Sequence, residues 1–160
     1  MRRKDREMTE AFALSVVDKC SYGVLATVNA DGTPYCVPLS IVRSGRFLYF
    51  HCAYHGQKTD NLKRNPQVCM TCVGDVRPYK DEFTTAYESA VVTGTAVELT
   101  NDAEKMEALQ LLCQKYTPDN MHKFQSECDR SLFRTAVWKI RIESITGKAK
   151  LKHKEILPAE

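Results

Sequence analysis

Along the first stretch of chain, Met8, Phe12, Val16 and Cys20 recur every four residues, with Val17 beside them. That spacing puts one apolar stripe on a helix over Thr9 to Cys20. Thr9 suits the N-cap, where a hydroxyl accepts a first-turn amide proton. Gly23 follows closely and is expected to help stop the helix. The period then changes. Tyr22 to Val28, Thr33 to Val42 and Phe47 to Cys52 are rich in strand formers. Asn29-Ala30-Asp31-Gly32 and Arg43-Ser44-Gly45-Arg46 lie between them as turns. The spacing predicts a three-stranded antiparallel meander. Pro34 and Pro38 remove ladder donors from the second strand, so Pro38 calls for a bulge or an unpaired edge there.

Lys58 to Asn65 reads as a short helix ended before Pro66, and Gln67 to Val73 as a fourth strand. Gly74 to Thr84 reads as a loop, and Tyr87 to Leu99 as a long strand with a bend or bulge at Gly94. Asn101 to Tyr116 is the clearest helix. Asn101 and Glu104 have capping-box spacing, and Met106, Leu109 and Cys113 form the inner stripe with Leu112 beside it. A weaker helical piece covers Met121 to Cys128. In the last strand, Thr135 to Ile145, Trp138, Ile140 and Ile142 alternate with Lys139, Arg141 and Glu143, the pattern of a half-buried strand. Strands dominate and helices enter late. The expected fold is therefore mainly β with peripheral helices, a small closed or split antiparallel β-barrel. One domain is expected over 1–150, followed by a polar tail at 151–160 that is expected to be mobile.

Composition narrows the class. With 43% apolar and 27% charged residues the chain is ordinary for a water-soluble globular protein. No apolar run approaches the ~18 residues of a membrane span. The charged start, Met1-Arg2-Arg3-Lys4-Asp5-Arg6, is not followed by a signal-type apolar stretch. A cytoplasmic protein is expected. The seven cysteines are odd in number and do not resemble a secreted framework; most are expected to be reduced, small core residues. A net charge of +3 is too weak for a nucleic-acid coat but compatible with an anionic small ligand.

The segment His51-Cys52-Ala53-Tyr54-His55-Gly56-Gln57-Lys58-Thr59-Asp60-Asn61-Leu62 carries the candidate chemistry. It runs from a strand end through a glycine loop into a helix start, where free amides and the helix dipole favour an anion. Lys58 in the first turn is disfavoured there unless an anion offsets it; a phosphate meets that need, and a solvated lysine is the plain alternative. Cys69-Met70-Thr71-Cys72 has ligand spacing, but in a strand its cysteines face opposite ways, and no second pair accompanies it; no metal is expected. Nucleophile-elbow, Walker and dinucleotide fingerprints are absent from the sequence.

In order and spacing the chain resembles the pyridoxamine 5′-phosphate oxidase-like superfamily, and within it the nitroimidazole-resistance branch of FMN-binding split β-barrels. The matching pieces are Met1 to Arg6, Pro38-Leu39-Ser40, Leu48-Tyr49-Phe50-His51 with Lys58 after it, Asn65-Pro66-Gln67-Val68-Cys69, Tyr87-Glu88-Ser89-Ala90-Val91-Val92-Thr93-Gly94, and Ile145-Thr146-Gly147-Lys148. The resemblance implies FMN between two subunits of a homodimer. The backbone of Val37, Pro38, Leu39, Ser40 and Ile41 would face the flavin ring, and His51 and Cys52 would sit beside the ring or ribityl chain. Gln57 and Lys58 would hold the phosphate, with Ser89 as a further polar contact. Gln57 stands where the parent oxidases carry an arginine. Trp138-Lys139 is similar to a tryptophan-lysine pair near their cofactor, although Trp138 is equally an ordinary core aromatic.

The expected function is an FMN-dependent oxidoreductase. It would pass electrons from reduced flavin to a small electrophile such as a nitroaromatic or a quinone, with His51 orienting substrate or donating a proton. A non-catalytic flavin-binding or haem-binding module, with His51 as a candidate iron ligand, is the alternative. Pyridoxamine 5′-phosphate oxidation is a third reading, which Gln57 disfavours. No nucleic-acid or membrane partner is expected.

Overall fold

A computed structural model gives the fold and describes residues 2–151. The strands are β1 (Glu7–Met8), β2 (Gly23–Val28), β3 (Pro34–Leu39), β4 (Val42–Ser44), β5 (Phe47–Ala53), β6 (Gln67–Tyr79), β7 (Thr84–Leu99) and β8 (Thr135–Lys150). The helices are α1 (Glu10–Lys19), α2 (Gln57–Arg64), α3 (Asp102–Tyr116) and α4 (Phe124–Ser131). All strand pairs are antiparallel, in the order β3-β2-β6-β7-β8-β5-β4, with β1 beside β8.

This order replaces the expected meander. The predicted strand Thr33 to Val42 breaks at Ser40-Ile41, and its halves, β3 and β4, form opposite edges of the sheet. Leu39 and Val42 are three Cα steps apart, at most about 11 Å. The sheet must therefore curl until its two edges nearly meet without pairing, which is a split barrel. Pro38 lies on the β3 edge, where a missing donor costs little. Across the seam, Ile41 is fully buried, its amide donates to the Tyr116 hydroxyl (2.9 Å), and its carbonyl accepts from Tyr116 (2.8 Å) and Lys115 Nζ (3.0 Å). The end of α3 latches the barrel where the ladder cannot.

The barrel is filled by Leu25, Ile41, Leu48, Phe50, Met70 and Ile140, all fully buried. Phe50 and Trp138 stack with centroids 6.5 Å apart and planes 5° apart. The α1 stripe joins the same cluster through Ala13, Val16, Val17 and Cys20. Thr9 caps α1 by accepting the Phe12 amide proton. Gly23 does not stop that helix. It opens β2, where a Cβ would lie 2.9 Å from Met70 Sδ, so its role is close packing.

Three further expectations change. The loop expected from Gly74 to Thr84 is mostly strand: β6 continues to Tyr79 through a bulge between Val73 and Val76. The last strand continues past Ile145 to Lys150, and residues 152–160 of the expected tail lie outside the described residues. The buried face of α3 is Lys105, Ala108 and Leu112, so a lysine stands where an apolar stripe was read. The register shift expected at Gly94 is present between Thr93 and Gly94. Among the described residues no helix is long and apolar enough to cross a membrane.

Candidate functional site

The end of β5, the loop after it and the first turn of α2 form one wall of a hollow of about 150 Å³, with Tyr35 of β3 opposite. Gly56 is the N-cap of α2, and its φ of 139° belongs to glycine. It carries no side chain to cap the helix, so no side chain accepts from the first-turn amides. Thr59, buried at 2% exposure, donates its hydroxyl back to the Gly56 carbonyl at 2.7 Å and tightens the turn.

Lys58 stands in this first turn, half-buried. Among the described residues its ammonium has no hydrogen-bond or ion-pair partner. Its charge is felt by both neighbours on β5. The His51 pKa is lowered, first by desolvation and then by Lys58, so the imidazole is neutral at neutral pH. Burial pushes the Cys52 thiol up against the opposing pull of Lys58. A half-buried ammonium at the positive end of a helix is disfavoured by the helix dipole, and first-turn amides without a side-chain cap lie beside it.

Gln57 has another task. Its Nε2 donates to Asn29 Oδ1 at 2.9 Å, and fully buried Asn61 donates to the same oxygen at 2.8 Å and to Thr27 Oγ1 at 3.1 Å. This network fixes α2 against the β2–β3 turn. The expectation that Gln57 holds the phosphate therefore meets a side-chain amide that is already committed.

The other expected residues divide between places. The pleat turns His51 and Cys52 to opposite faces of β5. Cys52 faces the hollow and the core, while His51 lies exposed on the outer face, opposite Val137. Val37 and Leu39 point inward and pack on the core, and Pro38 points outward. Ile41 has its backbone groups taken by Tyr116, which leaves neither free for a ring. Ser89, on β7, donates to the Lys148 carbonyl at 3.3 Å. Trp138 is 3% exposed inside the barrel, where it is a core aromatic. Its Nε1 reaches toward the Cys52 sulfur but closes no hydrogen bond.

Pro38, Leu39 and Ser40 meet Tyr22 and Val24 around a wide, open shelf of about 630 Å³. Three residue steps along β3, about 10 Å at strand rise, separate Pro38 from Tyr35 in the small hollow. The shelf continues into an uncovered outer face. Cross-strand rows Pro38–Val24–Thr71–Val91–Thr146 and Cys36–Ala26–Cys69–Thr93–Ser144 span β3, β2, β6, β7 and β8. None of these side chains is charged. Tyr22, at 57% exposed, and Val91, at 38%, are among its apolar members. The sequence reading missed Tyr22, Val24, Tyr35 and Thr59. The period-2 alternation along β2 and β3 is the signal that could have placed the first three.

The Cys69–Cys72 pair does face opposite ways. Cys72 is buried, its pKa raised by the neighbouring Cys20 thiol and by burial, and Cys69 lies on the outer face. Among the described residues, no three His, Cys, Asp or Glu side chains gather as a metal site.

A family model described as pyridoxamine 5′-phosphate oxidase matches residues 9–149. No curated protein matches the chain. Among solved structures, a proposed 5-nitroimidazole antibiotic resistance protein of Bacteroides thetaiotaomicron is 25% identical, with a TM-score of 0.78, over 89% of this chain and 86% of that one. A flavocytochrome of Azotobacter vinelandii is 18% identical, with a TM-score of 0.79, over 94% of this chain and 72% of that one. An FAD and haem binding protein of Mycobacterium smegmatis is 20% identical, with a TM-score of 0.77, over 97% and 76%. The last two share the fold.

Proposed function

This chain belongs to the pyridoxamine 5′-phosphate oxidase family, and from that premise we propose that it is a flavin-binding domain that grips the phosphate of FMN at the start of α2. The observation that carries the reading is Lys58, an ammonium without a partner beside uncapped helix amides. The residues fit the group in part. A hollow of about 150 Å³ suits a phosphate but is below the ~300 Å³ of a whole ligand pocket. The ring then needs the shelf at Tyr22, Pro38 and Ser40, about 10 Å away along β3. A two-fold copy packed on the two uncharged rows of the outer face would bring one chain's shelf toward the other chain's hollow. A homodimer with flavin between its subunits is therefore part of the proposal.

FMN, when bound, supplies redox chemistry. The chain's own residues bind and orient. Lys58 and the α2 amides hold the phosphate. His51, neutral and exposed, can orient a small electrophile or exchange one proton with it. Among the described residues no buried acid–base pair stands beside the hollow, which favours a binding module over side-chain catalysis. Turnover to a nitroaromatic or quinone is the finer reading, supported by the 25% identical resistance protein. Commitment of Gln57 to Asn29 disfavours pyridoxamine 5′-phosphate oxidation, because that position offers no second cation. Haem is the second reading, favoured by an exposed neutral imidazole at His51.

The absorption spectrum of the purified protein tests these readings. Two broad near-visible bands, with FMN released on denaturation, are expected. A Soret band replaces flavin by haem. A colourless protein that takes up no FMN overturns the proposal. Steady-state NAD(P)H oxidation with a nitroaromatic then separates enzyme from binder.

A further inference from the structure

Lys105 is 3% exposed, the most buried charged side chain among the described residues. Taking an ammonium out of water is costly unless its protons are met. Its Nζ donates to the Tyr54 hydroxyl at 3.1 Å and to the Leu132 carbonyl at 3.0 Å, and it lies 5.6 Å from the Tyr54 ring centroid. Its one carboxylate neighbour among the described residues, Asp102 at 3.7 Å, is itself 76% exposed and screened. Such an ammonium adds little net stability compared with an apolar side chain of the same volume. What it does supply is direction, since two fixed acceptors define where it sits.

Those acceptors flank the hollow's wall. Tyr54 follows Ala53, the last residue of β5, and the short turn Leu132–Arg134 leads into Thr135, the first residue of β8. Ala53 and Thr135 are paired. Apart from Tyr35, the hollow is lined entirely from 52–59, and Tyr54 is the one member of that segment whose side chain turns away from it. Lys105 thus holds the segment near its start, through the one side chain that does not line the hollow.

We propose that Lys105 is a positioning residue of the phosphate site. Through Tyr54 it fixes segment 52–59 so that Lys58 and the α2 amides converge on one point. This rests on the flavin reading of that site. Lys105→Met keeps the length and removes the charge, and Tyr54→Phe keeps the ring and removes the acceptor. Two readouts are taken on the full chain: hydrogen exchange of the 55–59 amides without ligand, and the ratio of FMN to riboflavin affinity. In both variants we expect amide protection to fall and the FMN preference to drop about tenfold, the scale of one lost hydrogen bond to a charged group. Riboflavin affinity is expected to stay unchanged, and the double variant to be no worse than either single one. Unchanged protection at 55–59 in folded Tyr54→Phe overturns the role, as does an unchanged FMN preference where the wild type has one. If the wild type takes up no flavin, lost protection still supports the anchor, and it is the flavin reading that falls.

Discussion

The Tyr116 hydroxyl both receives the Ile41 amide proton and donates to the Ile41 carbonyl, closing the seam between β3 and β4 from outside the sheet. Without it, the buried Ile41 amide has no partner, while the carbonyl keeps Lys115. Leaving one buried donor unmet costs about 1–3 kcal/mol. Tyr116→Phe is therefore expected to lower unfolding free energy by that amount in urea titration, with the slope unchanged. A variant as stable as wild type would show that water serves the seam equally well.

Lys58→Ala removes the one charge aimed at the proposed phosphate. A charged hydrogen bond is worth about 1.5–3 kcal/mol, so FMN affinity is expected to fall between about tenfold and a hundredfold. Riboflavin, which lacks the phosphate, is the control and should bind both proteins alike. Equal loss for the two flavins would move the phosphate elsewhere.

The paired experiment is Gln57→Ala. Its amide supports Asn29 and, through it, fully buried Asn61. Loss of one such bond costs about 0.5–1.5 kcal/mol of stability, while FMN affinity should change little. A large loss of FMN affinity without loss of stability would return Gln57 to the phosphate site.

These residues also show what was legible in the chain. The Lys58 loop was, because a strand end, a glycine and a helix start are local features. The split seam was not. Thr33 to Val42 reads as one strand, since nothing local reports that Ser40 and Ile41 cross between sheet edges and that Ile41 takes its partner from Tyr116, 75 residues away. Gln57 was assigned to the phosphate by the resemblance, while its partner Asn29 lies 28 residues back. Lys105 drew no attention in the sequence, because a charged residue on a helix normally faces solvent. The strand after Gly74 was hidden by glycine, aspartate and proline, which a bulged ribbon tolerates.

His51 links the site to pH. Partial desolvation of the ring and then the Lys58 charge depress its folded pKa below the ordinary 6.5. Between the folded value and 6.5 the unfolded chain binds more protons than the folded one, so stability from this group rises with pH and falls on acidification through that window. His51→Gln should flatten this slope in unfolding curves measured across mildly acidic pH. Lys58→Ala should move the His51 titration, followed by NMR, part of the way back toward 6.5. A His51 titration at or above 6.5 in the wild type would contradict the assigned environment.

The uncharged outer face carries the last prediction. Charged side chains are what normally keep a sheet surface from associating, yet the two central rows across β3, β2, β6, β7 and β8 contain none, and exposed Tyr22 borders them. Thr71 lies at the middle of one row, between Val24 and Val91. In a two-fold dimer an aspartate there would be buried near its own copy, with two like charges desolvated together. Thr71→Asp points outward in the single chain and should leave the barrel folded. Light scattering is expected to give a dimer for wild type and a monomer for the variant. If the ring lies between subunits, the variant should lose FMN as it loses its partner. A monomeric variant that keeps full FMN affinity would place the whole flavin within one chain.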